Sequence, residues 1–138
     1  MANALYDKGR ENILGGDIDW DAATIKAVLT RHSGDTPIIA TDDALDDISA
    51  GTAATSAALA TKTKTDGVAG AADDPDFFPA VTAGAACNSV SLYKDTGTPS
   101  TSLLICFIDT AGATLPVTPN GGDIGVTWDS GANKIFKL

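Results

Sequence analysis

The chain is short of the residues from which most catalytic and nucleic-acid-binding sites are built. A single histidine, His32, stands among 138 residues. That excludes a two-histidine metal site and leaves a nucleophilic triad only if His32 itself is the base. Lysine and arginine together number 9 against 18 acidic residues, for a net charge of −9 and a pI near 4.2. Affinity for a phosphate backbone rests on clustered cations that displace counterions, and the sequence has no basic stripe, so direct nucleic-acid binding is not expected. No apolar run approaches the ~18 residues that suggest a bilayer span, and the opening Met1-Ala2-Asn3-Ala4-Leu5 lacks the basic start and apolar stretch of a signal peptide. The reading is therefore of a protein made in the cytoplasm and not held in a membrane. The two cysteines, Cys87 and Cys106, have neither metal-ligand spacing nor a second pair. They are read as two buried free thiols.

Aromatic residues make up only 6% of the chain, and much of its apolar content is alanine. The core is thus expected to be thin, assembled from scattered Leu, Ile, Val and Phe with two Trp, and to gain stability from a partner that binds only the folded form. Glu11 is the only glutamate. An acid content that is almost all aspartate suits turns and caps better than helix interiors. Length and composition point to one domain over residues 1–138, mainly β, as an antiparallel sandwich or barrel of jelly-roll-like or immunoglobulin-like type with a short N-terminal helix. Within it, residues 1–20 are read as a helix, arm and anchor segment and 22–138 as the β domain.

Leu5, Gly9 and Ile13 fall at i, i+4 and i+8, the spacing of a short amphipathic helix, and Gly15-Gly16 would end it. Gly9 weakens such a helix in isolation, so it needs a surface to lie on, either its own sheet or a neighbouring subunit. The β-branched run Thr24–Thr30 reads as a strand, Ser33–Pro37 as a turn, and Asp42–Ile48 as a short helical turn with Leu45 and Ile48 inward. Residues Gly51–Ala60, small and uncharged, bury little area and are the nearest candidate for a mobile arm. Leu59–Thr65 alternates with two lysines on one face, as an edge strand would, before the Asp66-Gly67 turn. Pro79 demotes Phe77–Val81 to an edge or irregular strand.

Ser89–Tyr93 and Leu103–Ile108 flank a turn-rich loop and predict an antiparallel hairpin, the second strand central because it is apolar on both faces. Folding it about the loop places Cys106 near Ser91 and far from Cys87. Thr114–Pro119 should be extended, since each proline pushes its predecessor out of the helical region. Ile124, Val126 and Trp128 alternate as a half-buried strand, and the chain returns through Lys134–Leu138 as another.

The best candidates for chemistry are groups of aspartates: Asp17/Asp19/Asp21, Asp42/Asp43, Asp46/Asp47 and Asp73/Asp74/Asp76. The first has the alternation of a calcium loop, but neither its central glycine nor its closing glutamate follows at the required offset. Solvated turns explain all four groups better than a glycosidase pair, which needs a cleft and aromatic platforms. Catalytic, cofactor and metal sites are accordingly not expected, and an enzyme is not the favoured reading. As interface anchors, Leu5, Tyr6, Arg10, Ile13 and Trp20 are the best candidates, with Tyr93 a further exposed aromatic.

Ala4-Leu5-Tyr6-Asp7-Lys8-Gly9-Arg10, Gly16-Asp17-Ile18-Asp19-Trp20, Leu92-Tyr93-Lys94-Asp95-Thr96-Gly97, Leu115–Ile124 and the ending Thr127–Leu138 together resemble a family of small virion proteins of tailed bacteriophages. The likeness runs nearly end to end, through turns and strands rather than catalytic motifs. It implies a particle component. The expectation that follows is a capsid decoration or cement protein on the virion exterior, a dimer or trimer bound to the major capsid protein. A head-fibre, tail-tip or host-carbohydrate-binding module is the alternative, using loops such as Asp95–Ser100 and Asn120–Asp123.

Overall fold

A computed structural model describes residues 3–110 and 115–138, apart from the side chain of Asp76, and shows a mainly β, sandwich-like fold. Its largest sheet has the order β1-β8-β7-β2-β3, with β1 at Ala4–Leu5, β2 at Ile25–Thr30, β3 at Thr52–Thr55, β7 at Ser89–Lys94 and β8 at Leu104–Ile108. A second sheet has the order β10-β5-β4, from Phe136–Lys137, Val68–Gly70 and Thr63–Thr65. The third pairs β6 (Asp74–Phe78) with β9 (Ile124–Val126). All the pairings are antiparallel.

Alternation along the central strands divides the interior in two, because successive strand residues point to opposite faces. Ile25, Ala27, Leu29, Val90, Leu92 and Cys106 form one core with Phe77 and Phe78, against which Ile124, Val126 and Phe136 of the smaller sheets pack. Val28, Tyr93, Leu104 and Phe107 form the other with Tyr6 and Ile48. The large sheet is thus covered on both faces, which accounts for a β7 whose residues Ser89 to Tyr93 are all buried. Tyr93, expected to be exposed, belongs to this second core and is 3% accessible.

The N-terminal helix, α1, runs from Asp7 to Gly15 and begins two residues later than the sequence spacing suggests. The difference lies in Leu5, whose backbone is drawn into pairing with Cys106 as part of β1. Tyr6 then donates its N–H to the Ile105 carbonyl at 3.0 Å, and α1 continues along the flank of β8. Gly9 is what lets it lie so close, since a Cβ there would stand 2.6 Å from the Ile105 carbonyl oxygen. Of the two supports the sequence left open, the helix uses its own sheet, and Leu5 to Gly15 form an edge element held by strand pairing and core packing.

Three further expectations are corrected. Thr52–Thr55 of the supposed arm is strand β3, and beyond it Ser56 and Leu59 donate backbone N–H groups to the carbonyls of Ala27 and Ile25. Backbone pairing supplies what small side chains could not. In the β7–β8 hairpin, Ser91 faces Phe107 and Leu92 faces Cys106, because a bulge between Leu92 and Tyr93 shifts the register by one residue. The short helical turn falls at Leu45–Gly51, three residues later than expected, set by the Asp47 carboxylate, which accepts the N–H groups of Asp43 and Ala44. Thr114, in the run expected to be extended, lies outside the described residues. Farther along that run, Val117 exchanges both backbone hydrogen bonds with Cys87.

Candidate interaction surface

The aspartate groups singled out in the sequence serve as local backbone partners and ion pairs. Asp19 Oδ1 accepts the N–H groups of Asp21 and Ala22, which holds its carboxyl below the usual aspartate range. Asp21 pairs with Lys64 at 2.8 Å. Asp42 caps Ile38 N–H at 2.6 Å while partial burial raises its carboxyl. Desolvation first, and then the neighbouring Asp47, raise Asp43. Asp73 accepts the backbone N–H of Trp128, whereas the Asp76 carboxyl lies outside what is described. Among the described residues, no group of three or more His, Cys, Asp or Glu is arranged to hold a metal ion.

His32 is half-buried, stacks on Phe107 with ring centroids 6.2 Å apart, and meets Ser89 Oγ at 2.9 Å through Nε2. Burial lowers its pKa, partly opposed by Asp109. A histidine beside a serine has the outline of a nucleophilic pair, but Ser89 is fully buried in β7, where no substrate could reach its hydroxyl. Both thiols are free and buried, and burial pushes Cys106 up to about 12, far from a reactive thiolate.

The five anchor candidates separate into interior and surface. Tyr6 is fully buried, with its hydroxyl 2.7 Å from Ser91 Oγ, and Leu5 is 8% accessible. Neither can act as an external anchor, because the pairing of β1 with β8 turns both inward. Arg10 is exposed and bound to Asp7 at 2.6 Å. Ile13 and Trp20 are half-buried. Trp20 donates its indole N–H to the Thr63 carbonyl at 3.0 Å and meets Phe136 edge-on at 5.3 Å.

Ile13 and Trp20 nevertheless come together. With Ile18, Val68, Phe136 and Leu138 they line a groove of about 480 Å³ between the end of α1 and the β10-β5-β4 sheet. A larger open cleft of about 1540 Å³, lined by Arg10, Leu14, Ile108, Leu115, Ile124 and Ile135 among others, shares Phe136 and Leu138 with it. Leu14 is 88% exposed and Leu138 62%. Sequence reasoning placed Leu14 within the Asn3–Leu14 contact stretch without naming it as an anchor, and did not single out Leu138. Leu14 lies one step off the Leu5/Gly9/Ile13 stripe, about 100° around the helix, and that offset was the available signal. Leu138 gains meaning only from the fold that sets β10 beside α1 and Trp20.

A comparison with models of known protein families finds no match, and a comparison with curated proteins finds none either.

Proposed function

We propose that this protein is a capsid decoration protein of a tailed bacteriophage, attached to the outside of the shell through the apolar surface formed by α1, Trp20 and β10. The observation that carries this reading is the exposure of Leu14 and Leu138 along one cleft, on a chain of net charge −9. Contiguous exposed apolar surface rimmed by charge is characteristic of a protein contact site. The rim here holds the Arg10–Asp7 and Lys64–Asp21 ion pairs. The complementary partner is an apolar, neutral-to-basic patch on the major capsid protein. The resemblance of segments such as Ala4–Arg10, Leu92–Gly97 and Thr127–Leu138 to small virion proteins supports the same choice. Many equivalent sites on a shell would let a modest interface suffice, since oligomeric copies engage successive sites at high effective concentration.

The test is binding of purified protein to capsid shells that lack it, followed by co-sedimentation and reconstruction of the decorated particle. Hundreds of copies spread over the shell are expected. Leu14→Asp and Leu138→Asp should each abolish occupancy while leaving the circular dichroism spectrum unchanged, both positions being exposed. Copies confined to a vertex or the tail, or shell binding that survives both substitutions, would overturn the reading.

A further inference from the structure

The large cleft beside α1 differs from a flat contact patch in its depth. Its rim carries Leu14 and Leu138, 88% and 62% exposed, while Leu29, Phe78 and Cys106 of the inner core, each no more than 2% accessible, line it as well. Ile124, Val126 and Phe136, all half-buried, are further lining residues, so the cleft is apolar from surface to interior. Sites that take small molecules are concave and mostly apolar, with a few polar groups that fix orientation. At about 1540 Å³ this one exceeds the ~300–1,000 Å³ usual for such sites, which suits a long chain better than a compact solute.

The charges lining the cleft run against the charge of the chain. Arg10, Lys134 and Lys137 are three of its nine cations, whereas Asp129 is one of its eighteen acids. All four are exposed. Arg10 is bound to Asp7, and Asp129 Oδ1 accepts the Gly131 N–H at 3.0 Å. Lys134 and Lys137 have no ion pair among the described residues. Lys134 also holds a φ of 42°, a left-handed conformation that costs a side-chain-bearing residue more than glycine. Charge of one sign beside low-dielectric walls focuses the local field, and acids farther off than ~8–10 Å are largely screened.

We infer that the cleft binds a single-chain amphiphile with an anionic head, a free long-chain carboxylate of the fatty-acid class. The tail lies along the apolar lining and the head is held by Lys134 and Lys137. A free molecule is favoured over an anionic membrane surface, because a chain of net charge −9 is repelled by an extended array of like charge, whereas a lone carboxylate meets the local field of the two lysines. The cleft is the one assigned to the shell contact, but this site does not depend on a capsid role and is tested on the free protein.

The experiment is calorimetric titration of the full chain with decanoate and with decyltrimethylammonium, which has a tail of the same length and the opposite charge, both below their micelle concentrations. Decanoate is expected to bind saturably and more tightly than the cation, although the chain as a whole is acidic. Lys134→Gly and Lys137→Gln should each lower the ratio of the two affinities about fivefold. Glycine is unstrained at a φ of 42°, so a wild-type unfolding midpoint for Lys134→Gly separates loss of the head-group contact from loss of the fold. No saturable decanoate binding, tighter binding of the cation, or a ratio unmoved by both substitutions would overturn the inference. So would a cleft closed to decanoate yet protected from hydrogen exchange by shells, a result that leaves it to the capsid protein alone. Decanoate bound with this preference by a protein that does not attach to shells would remove the decoration role and uphold the site.

Discussion

The Tyr6 hydroxyl lies 2.7 Å from the Ser91 hydroxyl, both residues fully buried, so the first turn of chain after β1 is bonded to the central strand of the large sheet. Tyr6 also meets Phe107 edge-on at 6.5 Å, and burial raises its phenol well above the ordinary value. Tyr6 is therefore part of the core.

Tyr6→Phe should cost ~1–2 kcal/mol, because it leaves the Ser91 hydroxyl buried without this partner. Tyr6→Ala should cost ~3–5 kcal/mol by opening a cavity. Denaturant unfolding measures both. A Tyr6→Phe protein as stable as wild type would show that the bond contributes nothing net.

Gly9→Ala reverses the usual helix rule. Alanine is favoured over glycine in a helix interior by about 1 kcal/mol, but its Cβ here would stand 2.6 Å from the Ile105 oxygen and 2.8 Å from that of Leu104. Backbone cannot yield as a flexible side chain does, so a net loss of ~1–3 kcal/mol is expected. Thermal unfolding of the variant decides the sign.

Thr30 Oγ1 is buried and has no hydrogen-bond partner among the described residues. Thr30→Val keeps the branched shape that suits a strand and removes the unsatisfied hydroxyl, so stability should rise by ~0.5–1.5 kcal/mol. An unchanged or lowered unfolding midpoint would show that the hydroxyl is satisfied in solution.

Lys26 and Asp95 form a 2.6 Å ion pair with both side chains partly covered. The hydrogen bond from Lys26, with a second from Gly97 N–H, holds Asp95 below its ordinary 3.8, and the same bond raises Lys26 above 10.5. The aspartate contribution is full above the unfolded value and is lost as pH falls through the lowered folded one. The lysine contribution is full below 10.5 and is lost as pH rises through the raised value. The pair should thus contribute across the neutral range, by ~0.5–1 kcal/mol in a double-mutant cycle. Asp95→Asn should flatten the acid limb of the stability profile near pH 4, and a coupling indistinguishable from zero at pH 7 would remove the pair from the account.

Most strands were legible because their signals are local. β2, β7, β8 and β9 follow β-branched or alternating runs bounded by turn residues, and α1 ends at Gly16, whose φ of 87° is the left-handed conformation glycine adopts readily. The glycine at position 9 announced that its helix needed a support, though not which one. β3 was hidden because alanine and threonine bury too little to leave a periodic signal. Its strand state comes from hydrogen bonds to β2, a partner more than twenty residues away.

Composition alone determined the class of molecule: an acidic, aspartate-rich chain with one histidine and few aromatics, built of strands and turns. Those properties add residue by residue and need no coordinates. Tertiary structure alone decided which side chains remain outside. Tyr6 and Tyr93 went inward while Leu14 and Leu138 stayed out, since burial depends on the element that arrives on each face, and antiparallel pairing across distant segments sets that arrival. The bulge that moved the β7–β8 register by one residue put the adjacent Ile105 and Cys106 of β8 into the same core, while β7 alternates unbroken, and that register depends on how the two strands meet.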